Sequence, residues 1–302
     1  MKQSDLEELI DCLPSGRSLY TYGKDWYAIE LLKYQITQPT RIQQLRESRF
    51  GKLMQKPKVR QWLGALGGST IAPQDINLIY PEEAETFRLA VDSFDGWIQT
   101  TRKNKQCWNL VLQLNLNESD ARFLDQYNVL RENDPFEWLC HPVSRSRHRT
   151  LAWARIDLDW ESGEVLIEEI QNDRIREAKS LLHSAKKHGD GQTFKRWGTE
   201  YPVKFFEEYW NKHIQPLSRF WDEAMLSATL KFIREELGLR SIFYHTPLSG
   251  SAYKGESAQD APKSIYTKLP QKFCFELTDQ RPCFAPKVHR KIPHAHFLHL
   301  QL

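Results

Sequence analysis

Val165-Leu166-Ile167-Glu168-Glu169-Ile170-Gln171-Asn172-Asp173 is an apolar run that turns acidic within one strand length. Three consecutive apolar residues at its start read as a central strand covered on both faces. Glu168 and Glu169 follow at the C-terminal end, and a regular strand would send them to opposite faces. Glu169, Gln171 and Asp173 would then share one face. In open α/β sheets, ligands gather at the carboxyl ends of strands. Carboxylates there are expensive to bury without partners, a metal or a task. Two readings stand: a site, or acids that cap helices and pair with Arg155, Arg174 or Arg176.

Upstream, Ala154, Ile156 and Leu158 alternate with Arg155, Asp157 and Asp159, and Glu161-Ser162-Gly163-Glu164 makes a turn into the central strand. Downstream, a long polar and helical insert leads to residues 217–237. There Phe220, Trp221, Ala224, Met225, Ala228, Phe232, Ile233 and Leu237 recur at three- and four-residue steps, so an amphipathic helix is expected, closed by Gly238. A strand at 241–245, a loop at 249–261, a short helix over 264–269 and a strand at 272–277 should follow. Phe297, Leu298 and Leu300 suggest a packed terminal strand. In the first half, helices are expected at 5–12 and 24–34. Short helices across 40–66 break at Pro57 and stop at Gly67-Gly68, and a strand at 107–116 precedes a helix from Asn117 to Leu130. The fold class is therefore α+β, a mixed central sheet flanked by helices. Residues 1–133 form a helical and strand region, and 134–302 an α/β domain carrying the acidic motif.

Hydrophobic residues make up 40% of the 302 and charged residues 27%, which excludes a disordered chain. The net charge of +3, from 42 basic and 39 acidic residues, neither requires nor excludes nucleic acid. Arg145, Arg147 and Arg149 are the best candidates for phosphate contacts, against the plainer reading of a solvated loop. The five cysteines, 12, 107, 140, 274 and 283, include no CxxC pair and read as reduced thiols of a cytosolic protein. Residues 1–18 lack the basic start and apolar centre of a signal peptide, and no apolar run approaches the ~20 residues that span a bilayer. The expectation is a cytoplasmic protein with no membrane contact.

A second constellation is Tyr244-His245-Thr246-Pro247-Leu248-Ser249-Gly250-Ser251-Ala252-Tyr253-Lys254-Gly255. His245, just past a buried strand, suits an acid or base, or a plain hydrogen-bonded structural role. Thr246, Ser249, Ser251, Tyr253 and Lys254, with Asp173, are candidate ligand-binding residues. The spacing is not that of a P-loop. His289, His294, His296 and His299 have no carboxylate or cysteine close by in sequence and read as surface or core histidines. No metal ligand set and no cofactor is assigned, and the partner is expected to be a small molecule or a protein.

Two resemblances rest on these residues. The run from Val165 to Asp173 resembles the I-E-E-I-Q-S-D motif of domains in polyvalent proteins of phages and mobile elements. The likeness continues through the 217–237 helix, the Gly238–His245 strand and Ile265-Tyr266-Thr267-Lys268-Leu269-Pro270. The element order over roughly 150–280 is also similar to the C-terminal half of the GNAT acyltransferase superfamily. There a tyrosine often serves as general acid, a role the resemblance would place on Tyr266. That superfamily binds the coenzyme A pyrophosphate on a glycine-rich turn before a long helix. Here Asn211 to Arg219 fills that position with no glycine, and Pro216 removes a donor. The resemblance implies a divergent GNAT-like transferase or ligand-binding relative, with Glu168, Glu169, Gln171, His245 and Tyr266 as catalytic candidates. One alternative is a metal-dependent nuclease or nucleic-acid-processing protein, with Asp157 or Asp159 and Glu168 or Glu169 beside Gln171 on Mg²⁺. It lacks the usual lysine two residues after the glutamate. Another is a non-enzymatic interaction module of a mobile element.

Overall fold

The turn at 160–163 closes on Gly163, whose φ of +71° suits a residue without a Cβ. It joins two long strands, Thr150–Asp159 and Glu164–Gln171, around which the rest of the sheet assembles. A computed structural model describes residues 1–13, 18–81, 83–95, 99–102, 107–189, 192–254, 264–287 and 296–302. Its large sheet contains β1 (Ser18–Tyr22), β2 (Glu85–Phe94), β3 (Asn109–Asn115), β4 (Thr150–Asp159), β5 (Glu164–Gln171), β6 (Ser241–His245), β7 (Glu276–Thr278) and β8 (Phe297–Gln301). The spatial order is β1-β2-β3-β4-β5-β6-β8-β7. Every neighbouring pair is antiparallel except β5 and β6, which run parallel. The α+β architecture with a mixed sheet flanked by helices is thus present. The sheet draws strands from both 1–133 and 134–302.

The two faces of the sheet differ in chemistry. Leu110, Leu112, Ala154, Ile156, Val165 and Ile167 lie on one face and join the main hydrophobic core. The helix Trp221–Glu235 covers that face, burying Ala224, Met225, Ala228 and Phe232. It begins later than the periodicity predicts, because Phe220 adopts an extended φ of −150° after a short 3₁₀ turn at Leu217–Arg219. The opposite face buries Asn109, Gln113, Arg155, Asp157, Glu168 and His245. Their partners include the segment 99–102 and the helix Pro247–Lys254.

Several expectations need correction. Residues 249–261 were expected as a loop, yet Pro247–Lys254 is helical. Thr246 and Ser249 cap it reciprocally: Ser249 N–H donates to Thr246 Oγ1 (3.0 Å) and Thr246 N–H to Ser249 Oγ (2.9 Å). The strand expected at 272–277 shrinks to Glu276–Thr278, because Lys272 ends a short helix and Cys274 sits at φ +65°. Pro57 starts the helix Pro57–Leu66 rather than breaking one, and Gly67 ends it in the left-handed region. The insert after β5 holds the helix Arg174–His188, a hairpin (Thr193–Arg196 and Thr199–Pro202) and the helix Val203–Tyr209. Among the described residues, no helix is long and apolar enough to cross a membrane.

Candidate functional site

A β-bulge decides where the two glutamates point. Ile156 pairs with Ile167 and Arg155 with Glu169, which leaves Glu168 as the extra residue on β5. Directly paired residues share a face, so Glu169 joins Arg155. Glu168 stays on the face of Leu166, two residues before it. Both acids therefore lie on the polar face, and the alternation expected of a regular strand fails at this one residue.

Parallel pairing of β5 with β6 ends at Ile167 and Tyr244. The next residue on each strand is Glu168 and His245, and these two meet at the fork, Oε2 to Nε2 at 3.2 Å. Both are fully buried. Glu168 Oε1 accepts the Thr101 backbone N–H (2.8 Å), and Oε2 accepts the Thr101 hydroxyl (2.9 Å). The Lys254 ammonium lies 3.8 Å from Oε2 and donates to the Glu168 carbonyl, which lies beyond the end of the β5–β6 pairing. On the far side of the imidazole, His245 Nδ1 stands 2.9 Å from Ser249 Oγ.

Burial works to raise the Glu168 pKa, but the His245 hydrogen bond and the Lys254 charge outweigh it and hold the carboxyl at about 2. Burial lowers the His245 pKa below 6.5, against the pull of Glu168. The two shifts pull apart, since a charged His245 would help ionise Glu168 while burial keeps the ring neutral. We assign an ionised Glu168, because Thr101 and Lys254 stabilise it independently of the ring, and a neutral His245. The partners then select the tautomer with the proton on Nε2, donating toward Glu168, while Ser249 donates to Nδ1. The order Ser249–His245–Glu168 is that of nucleophile, base and orienting acid. Ser249, however, is sealed from solvent and accepts the Thr246 N–H, so its part is to hold the ring and cap the helix.

Asp157 and Glu169 each have a cationic partner. Asp157 lies between the Met1 amino group (3.0 Å) and Arg102 Nε (2.7 Å). Burial raises its pKa, opposed by those two cations. Glu169 accepts Arg155 Nε at 3.0 Å. Among the described residues, no group of three or more His, Cys, Asp or Glu stands together as a metal would require. Of the acids named for Mg²⁺, Asp157, Glu168 and Glu169 are thus already neutralised by Arg, Lys and amino groups, whereas Asp159 accepts the Ser162 hydroxyl at 2.8 Å.

Gln171 and Asp173 form a second, more open cluster at the end of β5. Gln171 Nε2 donates to Asp173 Oδ1 (3.0 Å), Arg176 Nη2 donates to the same oxygen (2.7 Å), and His141 Nδ1 meets Oδ2 at 2.5 Å. Burial pushes the Asp173 pKa up, yet the bonds from His141 and Gln171 and the charges of His141 and Arg176 bring it below its ordinary value. The His141 side chain is 30% exposed.

Tyr266 is not part of either cluster. It packs edge-on to Tyr244 with centroids 5.9 Å apart, in the apolar core on the other face of the sheet. Tyr253 packs against Phe297 and near His245, whereas Thr246 bonds the His296 carbonyl at 2.8 Å. Ser251 is half-buried on the same helix. Of the arginines proposed for phosphate, Arg149 is buried against Asp134 (3.2 Å) and Arg147 pairs with Glu118 (3.1 Å) and Asp125 (2.7 Å). Arg145 is exposed. His289, His294 and Gly255 lie outside the described residues. His296 meets Asp279 at 2.6 Å and His299 meets Ser241 at 3.0 Å.

Thr101, Arg102 and His141 escaped the sequence reading. They sit in segments without periodicity, and nothing near them in sequence shows what they touch. A cavity of about 520 Å³ opens on the apolar face, lined by Leu13, Leu19, Leu89, Val91, Leu112 and Phe232 among others. The Glu168–His245 pair is on the opposite, polar face, whereas Tyr20, in the cavity wall, donates to Glu30 at 3.3 Å. No protein-family model, curated protein or solved structure matches the chain.

Proposed function

We propose that the chain is a divergent GNAT-like domain, a transferase or a ligand-binding relative, in which Glu168 and His245 handle a proton where β5 and β6 part. The observation that carries this reading is the fork itself. A parallel pair in an otherwise antiparallel sheet stops after four paired positions, and the next residue on each strand is one member of a hydrogen-bonded acid–imidazole pair. Ser249 and Thr101 fix the ring and the carboxylate in one arrangement; the pair is sealed, so an acceptor amine or hydroxyl meets His245 at Nδ1 once the Ser249 contact there opens. Glu168 orients the ring and stabilises its positive charge when it accepts a proton. Tyr266, on the other face, takes no part in this scheme.

The test is acyl transfer from saturating acetyl-CoA to a panel of amines and alcohols, followed as free thiol released. Slow transfer is expected from the wild type. It should fall more than tenfold in His245→Gln and Glu168→Gln proteins whose circular dichroism remains native. Thiol release no faster than in a protein-free control, with no acyl donor bound in calorimetry, would remove the transferase reading. Mg²⁺ binding that disappears in Glu169→Gln would favour the nuclease instead.

A further inference from the structure

We propose that the surface formed by Trp138, Trp197, Arg196, Arg176 and His141 is a docking site for single-stranded nucleic acid. This inference does not rest on acyl transfer. Trp197 stands at the tip of the hairpin between Thr193–Arg196 and Thr199–Pro202, at φ +48°, with Gly198 beside it at φ +85°. A tight two-residue turn of this kind favours Asn-Gly, because a bulky side chain is strained in the left-handed region. Here it holds a tryptophan that is 53% exposed. Trp138, 39% exposed, meets Trp197 edge to face at 6.0 Å. The Arg196 guanidinium lies 4.4 Å from the Trp197 ring centre.

These residues close into one patch. Arg196 and Arg176 both reach Glu177, at 3.5 and 3.6 Å, and Arg176 continues to Asp173. Asp173 holds His141, whose backbone N–H donates to the Trp138 carbonyl at 2.9 Å. Beside His141, 5.9 Å between rings, the buried Trp153 holds an indole N–H with no acceptor among the described residues. Two indole rings open to solvent offer stacking for any base; Arg176, 58% exposed, presents donors to a phosphate beyond those shared with Asp173 and Glu177, while Arg196 backs the Trp197 ring. An A-form or B-form duplex hides its base faces within the stack, so the single strand is the form that uses the rings.

The experiment is fluorescence anisotropy of a labelled oligo-dT 15-mer, with a duplex of the same length as comparison. Tryptophan quenching gives a second readout. Trp197→Asn is the informative variant, since asparagine tolerates the turn while removing the ring. The wild type should bind the single strand more tightly than the duplex, and more weakly as salt rises. Affinity should fall about tenfold or more in Trp197→Asn and in Trp138→Ala, and also drop in Arg196→Gln. No binding by the wild type, or unchanged affinity in Trp197→Asn, would overturn the proposal. So would duplex binding equal to single-strand binding, or a crosslinked protein partner at Trp197 with the oligonucleotide ignored.

Discussion

His245 shows how one buried residue ties the site to pH. Its folded pKa lies below the ordinary 6.5 because burial disfavours the imidazolium, so unfolding lets the ring take up a proton. The neutral ring's contribution to stability is complete above pH 6.5 and is lost as pH falls from there through the folded value. Glu30 and Asp120 act with the opposite sign: burial raises their carboxyls to about 7 and about 6, so acidification relieves them. Comparison of wild type with His245→Gln cancels those shared groups. The melting temperature at pH 7.5 minus that at pH 5.5 should be less positive in the variant; an equal value would mean that His245 titrates alike in the folded and unfolded chain, and a more positive one that the fold keeps it protonated. Little of this was legible in the sequence. His245 and Glu168 stood out as a strand-end histidine and acid, but the bulge that sets both glutamates on one face depends on how β5 registers against β4.

At the scale of elements, the helix Trp221–Glu235 was the clearest reading, because 3.6-residue periodicity reports one buried face directly. Phe232 is on that face and 6% exposed. It also lines the cavity beside β1 and β2, so one side of its ring already lacks close neighbours. Replacing it with alanine should cost about 3 kcal/mol, the lower end for a buried phenylalanine. Urea unfolding with an unchanged slope would check it; an unshifted midpoint would show that the stripe does not hold the helix to the sheet. β1 and β2 were not legible. In β2, Phe87, Leu89 and Val91 do alternate with Arg88, Ala90 and Asp92, but only Phe87 is fully buried and the run is short. Pro247–Lys254 was misread because glycine and serines suggest a loop, whereas the Thr246–Ser249 cap and packing under β6 make it a helix.

For the whole molecule, the GNAT-like reading proposed above offers two places for a pyrophosphate turn: Asn211 to Arg219, before Trp221–Glu235, and Asn172-Asp173, before the helix Arg174–His188 that directly follows β5. Asn172 Oδ1 accepts the Ile175 N–H at 2.8 Å, and the Asp173 carboxylate, 5% exposed, sits at the helix start. An anion already occupies the position where helix N–H groups would meet a phosphate, and no glycine lets the backbone come closer. Acetyl-CoA should therefore bind weaker than micromolar in calorimetry, and Asp173→Asn should not weaken it further. Micromolar binding by the wild type would show that this turn does accept the pyrophosphate.

The sequence by itself determined the α+β class, the central acidic strand, the long helix and the strand that ends at His245, because hydrophobic periodicity is a local record of which face is buried. Only the tertiary structure decided that Glu168 and His245 touch, that Thr101 and Lys254 hold the acid, and that Tyr266 lies on the other face. Those contacts join residues from 67 to 144 positions apart in the chain, such as Thr101 with Glu168 and with His245. The register of β4 on β5 and the point where β6 leaves β5 set them, and neither is written in any short stretch of residues.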